Sequence, residues 1–199
     1  MTDFARLMSD YFVKYLAGQK GSGSNTMKTY RDTFVQLLEF MDEKKHIRAD
    51  CIEVDSFSYD IINEFLEYLE KEKRVSISTR NNRLAAIRSF FKYTGYHEPK
   101  YLNISTSIRE ISKKKTEGRQ MNYLSVNAME HFLNSFDKTD HKELRCFCIV
   151  LLLYESGARV TELCNVRRYD LHLEKPYTMI LHGKGDKIRS VPLDGLVAD

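Results

Sequence analysis

Three prolines in 199 residues leave little to interrupt helices. No apolar run approaches the roughly 18 residues that would span a bilayer. The opening MTDFARLMSDYF carries acids and no apolar signal core, so nothing in it directs export. Cys51, Cys146, Cys148 and Cys164 do not form a disulfide framework, and the paired C-x-x-C or histidine spacing of a zinc site is missing. The expectation is reduced, buried thiols in a cytoplasmic protein, with no metal and no cofactor. With 42% hydrophobic and 30% charged residues, the chain suits one large or two small core-forming, helix-rich domains.

Helical spacing is plain in the first half. Phe4, Leu7, Met8, Tyr11, Phe12, Tyr15 and Leu16 form a stripe ending at Gly18. After the loop QKGSGS, Ser24 or Asn25 is the expected cap of a second helix, with stripe Met27, Tyr30, Phe34, Leu37, Leu38 and Met41. Ser58 or Asp60 opens a third, through Ile61, Ile62, Phe65, Leu66 and Leu69. Ser76 or Ser78 opens a fourth, with Gly95 as its stop. Short connections make these a four-helix bundle.

Net charge is only +3, but it is unevenly spread. Residues 39–73 sum to about −6, and residues 74–119 to about +8. On the fourth helix Leu84, Ile87, Phe90 and Phe91 share one side. Asn81, Ala85, Arg88, Ser89 and Lys92 share the other, flanked by Arg80 and Arg83 and free of acids. Arginine and asparagine suit guanine and adenine edges, and small Ala85 and Ser89 permit close approach to a groove. On the second helix Lys28 and Arg31 lie one turn apart beside Thr26 and Thr29, placed for phosphates. The alternative is an exposed helix with spare charges.

Residues 97–125 are poor in apolar side chains, and KKKTEGRQ has no period, so the interdomain linker is expected here. The boundaries read as a helical domain over 1–108, a basic linker over 109–120 carrying Lys113, Lys114 and Lys115, and a second domain over 121–199. In that domain Ser125 caps VNAMEHFLNSF, and Phe147 to Tyr154 reads as a buried helix ending at Ser156-Gly157. Arg159 follows at once, ahead of an amphipathic turn with Val160, Leu163 and Val166. Then YTMILHGKGDKIRSVPL reads as a β-hairpin with Gly183-Lys184-Gly185-Asp186 near its tip. HGKGDK lacks the spacing of a phosphate-binding P-loop, so taken alone it is an ordinary charged turn.

Together SGARVTEL and GKGDKIRSVPL, about twenty residues apart, resemble the tyrosine recombinase (phage integrase) family, whose motif runs T-G-x-R-x-x-E-L then G-K-G-x-K-x-R-x-V-P-L. NTMKTYRDTFVQLLEFM and STRNNRLAAIRSFFKYTG look like that family's helical core-binding domain, so the resemblance covers about residues 8–194. It implies a mainly α fold with a small β-hairpin or sheet: a four-helix, SAM-like core-binding domain, then the first part of an α+β catalytic domain. It also implies that Arg159 clamps the scissile phosphate, that Glu162 supports the site, and that Lys184 is the general acid toward the leaving 5′ oxygen. Such chemistry needs cations on non-bridging oxygens and a proton donor at the leaving group. The implied partners are double-stranded DNA and further recombinase subunits, a tetramer for the parent protein.

The family's second basic motif and nucleophilic tyrosine find no match before Asp199. The expectation is therefore a C-terminally truncated recombinase that does not cleave DNA alone, with exposed apolar surface and self-association near its end. Tyr154 and Tyr177 read as core or hairpin residues, and His172 and His182 as structural. Two further readings stay open: a naturally truncated, non-cleaving DNA-binding regulator, and a helical protein–protein interaction module.

Overall fold

The fold is that of a computed structural model describing residues 1–116, 118, 122–183, 185 and 187–194. It divides into two units, Met1–Arg119 and Gln120–Asp199.

In the first unit, helix α1 (Asp3–Asp10) is capped by Thr2, whose Oγ1 accepts the Ala5 N–H at 3.2 Å. It runs unbroken into a π-helical segment, Tyr11–Gln19, whose wider turns end where Lys20 N–H reaches back five residues to the Tyr15 carbonyl. Helix α2 (Ser24–Lys45) follows. Its cap is Gly23 rather than Ser24 or Asn25: the Gly23 carbonyl takes the Thr26 and Met27 N–H groups, and no side chain caps it. Helix α3 (Tyr59–Lys71) and helix α4 (Ile77–His97) begin at Ser58 and Ser76, whose hydroxyls accept the Ile61 and Thr79 N–H groups.

The core lies where the four stripes meet. Leu37, Met41, Ile62, Phe65, Leu69, Leu84, Ile87, Phe90 and Phe91 have no accessible surface. Phe90 takes edge-on contacts from Phe4, Tyr11, Phe34 and Phe91 at centroid distances of 5.2–5.6 Å.

Gly95 does not stop α4, which continues to His97. Its missing side chain is used laterally. Helix α5 (Leu102–Glu110), within the stretch that reads as connector, packs against α4 there. A Cβ on Gly95 would lie 2.6 Å from Ser105 Oγ and 2.7 Å from Ser105 Cβ. That buried hydroxyl donates to the Phe91 carbonyl at 2.6 Å. Sequence periodicity misses α5 because few apolar residues hold it, chiefly Ile104 and Ile108, with Ile111 just beyond.

The second unit holds helices α6 (Val126–Asn134), α7 (His141–Ser156) and α8 (Val160–Leu163), then a three-stranded antiparallel sheet of β1 (Leu171–His172), β2 (Thr178–His182) and β3 (Ile188–Pro192). Ser125 caps α6 through the Ala128 N–H, and Gly157, at φ 57°, closes α7 in the left-handed conformation that glycine tolerates. The expected hairpin is present, with Met179 opposite Val191 and Leu181 opposite Arg189. Paired residues share a face, so Met179, Leu181, Arg189 and Val191 lie on one side.

Two expectations are corrected here, the second extending to the first unit. No residue of α7 is buried, although its sequence is apolar. The only buried hydrophobics described in the unit are Met179, Leu181 and Leu193, which leave Ile149 and Tyr154 41% and 51% exposed. Tyr154 is therefore not a core residue, whereas Tyr177 packs beside the sheet. The four thiols are free but exposed, not buried: Cys146 and Cys148 lie on uncovered α7, Cys164 follows α8, and Cys51 lies in a surface turn.

Candidate phosphate site and nucleic-acid interface

In the second unit the turn from α7 into α8 sets Arg159 immediately before the first residue of α8. Three residues on, Glu162 is 4% exposed, and its carboxylate takes three donors. Oε2 accepts the Arg159 backbone N–H at 3.0 Å and Arg189 Nη2 at 2.8 Å, while Oε1 accepts Arg159 Nη1 at 2.8 Å. The Arg189 guanidinium foremost, then the Arg159 N–H and side chain, holds this carboxyl down at about 2. A neutral acid there would leave two guanidinium groups facing each other.

Gly183 closes over the same carboxylate. Its N–H donates to the Lys187 carbonyl at 2.7 Å, and a Cβ would come within 3.1 Å of Glu162 Oε1. A cleft of about 660 Å³ is lined by Arg159, Glu162, Gly183, Lys187 and Arg189 among others. The Arg159 side chain is 73% exposed, so the guanidinium is anchored at one edge while its other donors face solvent. A fork held that way suits the oxygens of a phosphate. Lys184 lies outside the described residues. Arg189 stands at the arginine position of the quoted hairpin motif but carries no assigned role in the sequence reading; its place opposite Leu181, on the covered face of the hairpin, was the available signal.

At the end of β2, His182 Nε2 lies 3.0 Å from Asp170 Oδ1. The Asp170 carboxylate also accepts the Arg167 N–H, which with His182 lowers its pKa. His172 is exposed on β1.

The depressed Glu162 carboxyl has a pH signature. Its folded pKa lies below the ordinary 4.5, so its pairing stabilises fully above that value and is lost as pH falls toward about 2. The protection factors of the β2 and β3 amides, which are exchange rates corrected for the intrinsic pH dependence, are expected to fall progressively across that window. Glu162→Gln should flatten this dependence; an unchanged profile in the variant would show that another group governs it.

In the first unit the expected interface residues separate into two sets. Lys28, Arg31, Lys92, Lys113 and Lys115 are exposed. Arg31 makes only a 3.9 Å contact with Asp32, and Lys28, Lys92, Lys113 and Lys115 have no ion pair among the described residues. Thr26 is half-buried near the start of α2, and Thr29 Oγ1 donates to the Asn25 carbonyl. Lys28 and Arg31 border a depression of about 480 Å³ with Phe12, Ser24, Asn25 and Met27.

The other set is bonded within the unit, whether buried or not. Arg80 is 5% exposed and committed to Glu70 and the Ser112 carbonyl, each at 3.2 Å, so it is not a presented charge. Arg83 Nη1 donates to the Thr29 carbonyl at 2.9 Å and to Thr33 Oγ1 at 3.2 Å. Arg88 donates to the Arg109 carbonyl, Asn81 grips Lys114, and Lys114 pairs with Glu70. Helical projection identifies which side of α4 is polar, but apart from Glu70, ten residues from Arg80, these partners lie 21 to 54 residues away in sequence.

Two family models match the chain: the phage integrase N-terminal SAM-like domain over residues 10–99, and the phage integrase family over residues 122–198. The tyrosine recombinase XerD of Listeria innocua is 30% identical over 189 residues, 92% of this chain and 59% of its own length. Two curated relatives from Sinorhizobium fredii are spanned to 68% and 57% of their lengths. Among solved structures, the XerH site-specific recombinase in a post-cleavage complex with a palindromic difH substrate aligns at a TM-score of 0.66 with 23% identity, over 95% of this chain and 54% of that one. The Tn1549 transposon integrase with transposon right-end DNA aligns at 0.67 with 19% identity, over 100% of this chain and 62% of that one. At those identities the likeness concerns the fold.

Proposed function

The chain belongs to the phage integrase family of tyrosine recombinases, and from that premise we propose that it carries the DNA-gripping part of a site-specific recombinase. The observation that carries this reading is Arg159, tied at one edge to a buried carboxylate and open at the other. The clamp takes two non-bridging oxygens of a phosphate, and Lys184 supplies the proton to the leaving 5′ oxygen. Strand exchange through a 3′-phosphotyrosine, within an assembly of four subunits in the cytoplasm, is the activity proposed for the whole protein. Lys28, Arg31, Lys92, Lys113 and Lys115, being exposed, are the proposed phosphate contacts of the helical unit.

The direct test is titration of labelled duplex DNA with the chain at several salt concentrations. Binding is expected in the micromolar range or tighter at low salt, with log affinity falling linearly in log salt by about 0.9 per phosphate contacted. Lys28→Gln and Arg31→Gln should each reduce that slope by about one. A chain that leaves the duplex unbound at low salt would overturn the proposal.

A further inference from the structure

The chain from the last turn of α5 onward is unusual for a connector because side chains of α4 hold its main chain at successive points, while Glu70 of α3 holds one of its lysine side chains. Ile108 and Ile111 are buried in the helical core. Arg88 reaches the Arg109 carbonyl, and Arg80 Nη1 reaches the Ser112 carbonyl at 3.2 Å. Asn81 then takes both main-chain groups of one residue: its Nδ2 donates to the Lys114 carbonyl at 2.8 Å, and its Oδ1 accepts the Lys114 N–H at 3.1 Å. A primary amide has one acceptor and a paired donor side by side, so it can satisfy a residue's N–H and C=O as a neighbouring strand would. Glu70 of α3 completes the arrangement, contacting Arg80 Nε at 3.2 Å and Lys114 Nζ at 2.8 Å.

The lysines divide accordingly. All three are exposed, but Lys114 is held by its backbone and its side chain, whereas Lys113 and Lys115 on either side have no ion pair among the described residues. A basic run free in solution would lose conformational entropy on meeting a polyanion, and a run already held would lose less.

We propose that Asn81, with Arg80 and Arg88, latches residues 109–114 onto α4 and thereby presents Lys113 and Lys115 as a preordered contact for the phosphates of duplex DNA. Asn81 is then a positioning residue for the cations and not a reader of bases. This rests on the DNA-binding reading above, and it assigns the polar face of α4 a different task.

Asn81→Ala tests it, because the change removes both bonds to Lys114, together with the Arg80 Nη1 bond to the same Oδ1, and no charge. Hydrogen exchange at the Lys114 amide should accelerate at least about tenfold, as expected for loss of one or two net hydrogen bonds. Duplex affinity should fall by about three- to tenfold with the salt slope unchanged, since both lysines remain. In a Lys113→Gln, Lys115→Gln background the slope should drop by about 1.8, and Asn81→Ala should then have no further effect on affinity. Asn81→Asp, which keeps the acceptor for the Lys114 N–H, should give an intermediate exchange rate and serves if the alanine variant folds poorly. Unchanged exchange at Lys114 overturns the latch. Faster exchange with unchanged affinity overturns its role in DNA binding. Failure of the unsubstituted chain to bind duplex removes the DNA reading itself, and the exchange measurement still decides whether the latch exists.

Discussion

Arg159→Ala, made in the whole recombinase proposed above, is expected to slow strand cleavage by on the order of 10²–10³, the usual cost of removing one donor aimed at developing phosphate charge. Binding should change far less, because the lost contact is one among many and reduces the salt slope by only about 0.9. The appropriate measurement is single-turnover formation of covalent protein–DNA product on a nicked duplex, at saturating DNA. Arg159→Lys should recover only part of the rate. A lysine keeps the charge but cannot hold Glu162 with one nitrogen while offering a planar fork to the phosphate. Cleavage within a few-fold of the unsubstituted rate would place the clamp elsewhere.

Gly95→Ala should destabilise the helical unit, against the ordinary expectation for a glycine inside a helix. Alanine normally gains about 0.5–1 kcal/mol there. The added Cβ, however, would sit 2.6 and 2.7 Å from Ser105 Oγ and Cβ, too close for any real contact. Those atoms are the stub of a side chain bonded to the Phe91 carbonyl, so α5 itself must move. Overpacking of this kind costs about 1–3 kcal/mol, so the clash prevails. Urea midpoints should therefore fall for Gly95→Ala and reverse sign in a Ser105→Gly background, where the obstruction is gone and only the helix preference remains. A midpoint that rises in the unsubstituted background would mean that α5 gives way freely.

The parts of this fold legible in the sequence are those whose physics is local. Ser58, Ser76 and Ser125 cap helices through bonds to N–H groups three residues ahead, and a linear reading detects them. The β2–β3 hairpin announces itself by its alternating pattern around two glycines, and Arg159 and Glu162, singled out by the family resemblance, lie in one hydrogen-bonded cluster. What escaped depends on partners distant in sequence. Gly95 looked like a terminator because nothing nearby shows that Ser105 needs the space. Arg80, Asn81 and Arg88 looked like an open cationic face because the backbone groups they hold come from a later segment. Arg189 was in plain view within the hairpin motif, yet its bond to Glu162 crosses 27 residues. The exposed thiols on α7 follow a related rule: apolar spacing shows which residues share a face, not whether anything covers it.

Arg83 has a consequence for how such a protein chooses its site. Its guanidinium meets the Thr29 carbonyl and Thr33 Oγ1, and that same hydroxyl donates to the Thr29 carbonyl, closing a triangle that rivets α2 to α4. Lys28 and Arg31, on the first two turns of α2, therefore stand at a set spacing from α4. For a unit that grips DNA, this turns the helix pair into a gauge. A duplex whose groove width already matches the gauge binds without distortion, and one that does not must bend or widen at its own elastic cost. Selectivity would then arise at base pairs that no side chain touches.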